Sequence, residues 1–182
     1  GRRIDARSSY LKSIEIDPQY AAARLRLGRV EGLESRRVEA LAAFAESERL
    51  YRLAANTEGE AEVLLQRGGF HYVMGDPTRA RADLERALGL ASTLKGTHQS
   101  VRAQMGLSGV TAAEGRFVES EQIASAAVQE ALDKGLDTVA ADGLLDLTAT
   151  LMESGRLPEA AAQGERAIQL AERRGAKRTA AR

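Results

Sequence analysis

Two histidines, His71 and His98, are the side chains of this sequence best suited to proton transfer at neutral pH or to binding a transition metal. Neither has a second histidine at the spacing that puts two ring nitrogens on one helix face, and no His-Glu-x-x-His pattern occurs. His71 is therefore expected to be a partly buried helical packing residue. The chain has no cysteine, which excludes a thiolate nucleophile, a disulfide and a cysteine-ligated zinc or iron–sulfur centre. Gly68-Gly69 and the Gly106/Gly109 pair suggest a phosphate-cradling loop at first sight. They fall inside predicted helices, in columns of small residues that let helices approach, so packing accounts for them. Carboxylates are plentiful, but acid–base work needs a pair in a shared cleft with shifted pKa values. On the surface of a helical protein they are solvated faces. No catalytic, cofactor-binding or metal-ligating residue is assigned, and no enzyme activity is expected.

Composition narrows the partners. The 182 residues hold 26 Lys plus Arg against 26 Asp plus Glu, a formal charge of zero. That balance argues against a nucleic-acid binder working by broad phosphate neutralisation. The charge is uneven: 1–52 carry 11 basic and 8 acidic groups, 53–172 carry 10 and 18, and the last ten residues carry 5 basic and none acidic. The basic close has no aromatic residue to stack on a base, so nucleic acid is not an expected partner there either. No apolar run approaches the roughly 18 residues of a membrane span, and no signal-peptide pattern opens the chain. Direct membrane insertion is not expected. Three prolines, no tryptophan and much Ala, Leu, Glu and Arg predict helix throughout.

The elements that carry these residues repeat. Ser35, Gly75, Gly115 and Gly155 are each 40 residues apart, as are Ala40, Ala80, Ser120 and Ala160, and then Ser47, Ala87, Ala127 and Ala167. Leu27, Arg67, Leu107 and Leu147 keep the same step, followed by Gly28, Gly68, Ser108 and Thr148. Apolar residues recur at three and four within each unit, the helical period. One unit reads as a helix over about 57–74, a turn at Gly75-Asp76, and a helix over about 77–94 with Pro77 at its first position. Gly96, Gly135 and Gly175 are expected just past helix ends, and Thr57, Thr97 and Thr138 as N-caps. A helix pair of this size cannot bury its own apolar stripe, so neighbouring pairs must stack.

These columns resemble the tetratricopeptide repeat. The resemblance is carried by Leu27-Gly28, Ala40, Phe44 and Ser47, and by Gly68, Gly75-Asp76, Ala80, Leu84 and Ala87. It implies an all-α solenoid of antiparallel helix pairs with a 40-residue period, about six residues longer than usual, wound as a right-handed superhelix. The chain is read as one array. Residues 1–20 hold the second helix of a truncated repeat, 21–60, 61–100, 101–140 and 141–180 are four repeats, and 176–182 start a further truncated helix. The bulky column falls from Phe44 and Leu84 to Ala124 and Gly164, predicting altered packing in the last two repeats. Arg67 stands where leucine is usual and is expected to snorkel. More narrowly, residues 47–68 and 172–182 resemble the C-terminal repeat region of bacterial eukaryotic-like serine/threonine kinases. None of that family's catalytic motifs lies in this chain, so its catalytic residues carry over to no position.

The tetratricopeptide resemblance places function on the first helices. Its second, fifth, ninth and twelfth positions line a concave groove that takes an extended peptide or a partner helix. The residues so placed are Leu25, Arg29, Glu62, Leu65, Tyr72, Arg102, Met105, Asp142, Leu145 and Met152. The fifth position (Leu25, Leu65, Met105, Leu145) forms either a groove floor or a seam packed between first helices. The Lys and Asn of carboxylate-clamping relatives are missing at these places. The expected function is a protein-interaction scaffold with a protein or peptide partner, within a larger protein. The alternatives are the regulatory region of a bacterial kinase and a small-molecule or peptide sensor. Unpaired end faces predict end-to-end self-association. A cytoplasmic site is expected, with the outer side of a membrane-anchored kinase as the alternative.

Overall fold

The structure, a computed structural model, describes residues 2–180, with side chains over 5–173. Among the described residues there are nine helices and no strand. They are α1 (Arg2–Ile16), α2 (Ala21–Leu33), α3 (Arg37–Leu53), α4 (Thr57–Val73), α5 (Pro77–Thr93), α6 (Thr97–Ala113), α7 (Phe117–Asp133), α8 (Asp137–Glu153) and α9 (Leu157–Ala180). The chain divides into two compact units, Gly1–Leu94 with α1–α5 and Lys95–Arg182 with α6–α9. In each unit consecutive helices pack as antiparallel pairs, and α2 also meets α4 while α6 meets α8. The fold is an all-α stack of helix pairs.

The 40-residue step is written in the turns. Ser35, Gly75, Gly115 and Gly155 all take positive φ between the two helices of a pair, at 60°, 73°, 79° and 78°. Between pairs the left-handed residues are Ala55, Lys95 and Gly135. This corrects the expectation for Gly96: Lys95 takes the left-handed position and Gly96 is the N-cap of α6. Gly175 stops nothing, because α9 runs through it to Ala180; the Ala and Lys that follow favour helix. No separate helix starts at 176. The expected threonine caps are also one or two residues late. Asn56 caps α4 by accepting from the Gly59 N–H, Thr57 and Thr97 are the first helical residues, and Thr138 lies inside α8. Pro77 does open α5, behind the Asp76 cap that accepts from the Arg79 N–H.

Small residues set the approach of each pair. In unit 1 a Cβ on Gly28 would lie 2.9 Å from the Phe44 ring, and one on Gly68 would lie 2.8 Å from Leu84. Later repeats invert the sizes: Ser108 and Thr148 replace the glycines where Ala124 and Gly164 replace the bulky partners. Thr148 accordingly reaches across to Gly164. The shrinking of one column is offset by growth of the other. Ser108 and Ser120 add mutual bonds, each hydroxyl donating to the other's backbone carbonyl at 2.9 and 2.8 Å. The unit 1 core includes Leu25, Ala40, Phe44 and Val63, with Tyr51 and Phe70 at its margin. In unit 2 Val101, Met105, Val128, Val139 and Leu144 form the main cluster.

Candidate functional site

The ten groove residues fall into two sets, one on each unit. In unit 1, Leu25 of α2 is buried against Val63 of α4, and Leu65 is buried too. Arg29 is exposed, Glu62 is half-buried and accepts from Gln66 at 2.7 Å, and Tyr72 is 43% exposed. Gly69, between them on α4, faces open space, so packing is not what places a glycine there. Tyr51 lies over Gly59, close enough to exclude a Cβ. Burial, together with nearby Tyr20 and Glu62, raises the Tyr51 hydroxyl pKa against the opposing pull of Arg26. Tyr51 of α3 thus shares its surroundings with Tyr20, Arg26 of α2 and Glu62 of α4.

In unit 2, Met105 of α6 is buried and its Sδ and Cε sit over Gly143 of α8, where no Cβ would fit. Arg102 is half-buried and engaged. On α8, Asp142 is exposed, Leu145 is 55% exposed and Met152 is 57% exposed. The fifth-position column therefore divides. Leu25, Leu65 and Met105 are buried packing residues, and Leu145 is an open apolar side chain.

The charged centre of unit 1 was not visible in sequence. Arg67 donates from Nε and Nη2 to both Asp83 oxygens at 2.7 Å and from Nη1 to Glu48 at 2.7 Å. Its side chain is only 13% exposed, so it does not snorkel. Arg86 and Arg52 also donate to Glu48, at 2.7 and 2.5 Å, and Arg52 bridges to Glu60 at 2.8 Å. Burial pushes the Glu48 carboxyl up, but the hydrogen bonds from Arg86 and Arg67 outweigh it and bring its pKa down to about 2. His71 is buried beside this cluster, with Nε2 3.8 Å from Asp83 and Nδ1 buried without a partner. The Glu48 and Asp83 carboxylates and the Arg67 guanidinium are paired with one another across helices, which suits cross-linking α3, α4 and α5. An arginine in a leucine column was the one available signal. Among the described residues no group of three or more His, Asp or Glu side chains could hold a metal ion. No helix among them is long and apolar enough to cross a membrane.

No protein-family model matches the chain, and no curated protein matches it. Solved structures do. The chain is similar to aspartyl phosphate phosphatase F from Bacillus subtilis, with TM-score 0.73 and 11% identity over 91% of this chain, although it spans only 45% of that protein. It is similar to a Podosopora anserina protein of nearly identical TPR-like repeats, with TM-score 0.68 and 13% identity over 95% of this chain and 89% of that one. It is also similar to YrrB, a TPR protein with an unusual peptide-binding site, with TM-score 0.55 and 20% identity over 93% and 78%. The shared property is the fold, an all-α array of tetratricopeptide-type helix pairs.

Proposed function

We propose that the chain is a non-catalytic protein-interaction scaffold that binds a peptide or partner helix along its first helices, with one face on each unit. The observation that carries this is the exposure of large side chains at the ninth- and twelfth-position sites and at Leu145. In unit 1 Tyr72 and the open Gly69 lie on α4 and the exposed Arg29 on α2, and in unit 2 Leu145 and Met152 accompany Asp142 on α8. An exposed tyrosine loses little rotamer freedom on contact, a methionine adapts its shape to the partner, and both offer large area and are enriched at interfaces. The unit 1 face fits a segment with acidic and aromatic groups. The unit 2 face fits an apolar segment with a basic flank. The peptide-binding site named for YrrB supports a peptide as ligand. The test is panning of a displayed peptide library on the chain, followed by binding to Tyr72→Ala and Leu145→Glu variants. Both positions are exposed, so the fold should persist while affinity falls about tenfold. Peptides that bind both variants as tightly as the parent would remove the reading.

The kinase-linked placement rests on the sequence likeness of residues 47–68 and 172–182. It predicts a kinase domain encoded upstream in the same gene, which sequencing the gene decides. Self-association has its own support: Leu145 and Ile168 are exposed where their 40-residue counterparts Met105 and Val128 are buried.

A further inference from the structure

Two repeats on from the charged centre of unit 1, the same place is built differently in unit 2. In unit 1 Arg86 of α5 donates to Glu48 of α3 at 2.7 Å and lies 3.5 Å from Glu60 of α4. The counterpart of Arg86 on α9 is Arg166. The counterparts of the two acids are Val128 and Ala140, both buried in the apolar cluster of unit 2. Arg166 keeps a hydrogen bond to Gln163 of its own helix at 2.8 Å and has no ion pair among the described residues. Beside it lies a trough of about 200 Å³, lined by Leu132 of α7, Leu144 of α8 and Arg166, Gln169, Leu170 and Arg173 of α9. Its floor is leucine, both charges on its rim are positive, and none of the lining side chains is a carboxylate. The trough is not an end face. On α7, which α8 and α9 follow, the counterparts of Arg166, Gln169 and Arg173 (Ala126, Gln129 and Asp133) are exposed as well. A further helix on α9 would instead cover Ile168 and Ala171, whose counterparts Val128 and Ala131 are buried with α8.

We propose that this trough binds a small carboxylate with an apolar body, a medium-chain or aryl acid. The body lies on Leu132, Leu144 and Leu170. The carboxylate accepts from the Arg166 guanidinium, taking the part that Glu48 plays for Arg86 in unit 1, and the planar fork of arginine suits a carboxylate. Arg173, two turns along the same side of α9, adds a second positive charge. The volume is below the roughly 300–1,000 Å³ of sites for drug-sized ligands, so the occupant is a small molecule rather than a length of peptide. The site goes beyond the interaction faces above and shares no residue with Asp142, Leu145 and Met152, so either reading can fail without the other.

The probe is octanoate, titrated into the intact chain and followed by the methyl NMR signals of Leu132, Leu144 and Leu170. Acetate supplies the charge without the chain, and octanol the chain without the charge. Saturable shifts centred on these leucines are expected. Acetate should bind at least about a hundredfold more weakly, since it has no chain to bury. Octanol, and octanoate with Arg166→Gln, should each bind about threefold or more weakly, and octanoate should weaken as salt rises. Gln169→Glu places an acid three residues after Arg166 and four before Arg173, within reach of both, and should weaken octanoate by occupying them. Both altered positions are exposed, and circular dichroism confirms that the variants are folded. No saturable shift at these leucines, octanol binding as tightly as octanoate, or an affinity unmoved by both variants overturns the proposal. A capped peptide of one glutamate and two leucines that binds more tightly than octanoate, with the same loss in Arg166→Gln, would make the occupant a peptide segment, and it too overturns the small-molecule reading.

Discussion

His71 shows how one buried ring gives unit 1 a pH dependence. Burial lowers its pKa from the ordinary 6.5, more than the carboxylates of Asp83 and Asp76 raise it, and Arg67 and Arg79 oppose protonation too. On acidification the unfolded chain therefore takes up the proton first. The contribution is complete above about pH 6.5 and is lost as pH falls below it. The Glu48 carboxyl, held at about 2 against an ordinary 4.5, adds stability that is present above 4.5 and drains away only as pH falls towards 2. Urea midpoints should fall between about pH 7 and pH 5.5 in the parent and stay flatter in His71→Leu; a parent that gains stability over that interval would mean that the Asp83 pair dominates. Arg67 permits a sharper test. Arg67→Leu leaves Asp83 buried with only His71 nearby and should cost about 3 kcal/mol in chemical denaturation. Arg67→Leu with Asp83→Leu should recover most of it, since an apolar pair needs no compensation. From sequence, Arg67 was only a misfit in its column, because its partners come from helices 16 and 19 residues away. A charge that looks misplaced along one helix can be paired across three.

At the scale of the helix pair, the matched columns at Gly28/Phe44, Gly68/Leu84 and Thr148/Gly164 decide packing. Gly68→Ala should destabilise by about 1–3 kcal/mol because its methyl meets Leu84. Leu84→Ala should cost about 2–5 kcal/mol through the void it leaves. The double variant should cost less than the sum of the two, a coupling readable from thermal or urea unfolding; strict additivity would mean that the two sites do not share space. The 40-residue period was legible in sequence, since the turn residues recur at that step, but the further helix expected from 176 is absent because α9 runs on to Ala180. The compensation between columns was not legible, because it appears only when the two helices are laid face to face. Caps were misplaced for a related reason. A left-handed turn residue can be Ala55 or Lys95 when the flanking helices hold it there, so glycine positions alone mislead.

The whole molecule presents two compact units, each with exposed apolar side chains. Sedimentation velocity should show association rising with concentration, driven by the apolar side chains of α8 and α9 at Leu145 and Ile168. Leu145→Glu with Ile168→Glu should leave a folded monomer; association that persists in that variant would place the contact elsewhere. Of the ten groove residues chosen from sequence, the polar and twelfth-position members are open or half-open, while Leu25, Leu65 and Met105 are buried. The family pattern names a position, but burial depends on the next helix, and a glycine such as Gly143 lets that helix come close enough to close over Met105. The size-matched columns also bear on how such a chain can be re-engineered or can drift by recombination. Exchanging α3 for α9 would set Phe44 against Thr148, two bulky groups in one seat, and leave Gly164 facing Gly28 across a void. Crossovers that move a whole helix pair keep each large residue with its small one, so viable chimeras should have their breakpoints in the turns between pairs and few inside them.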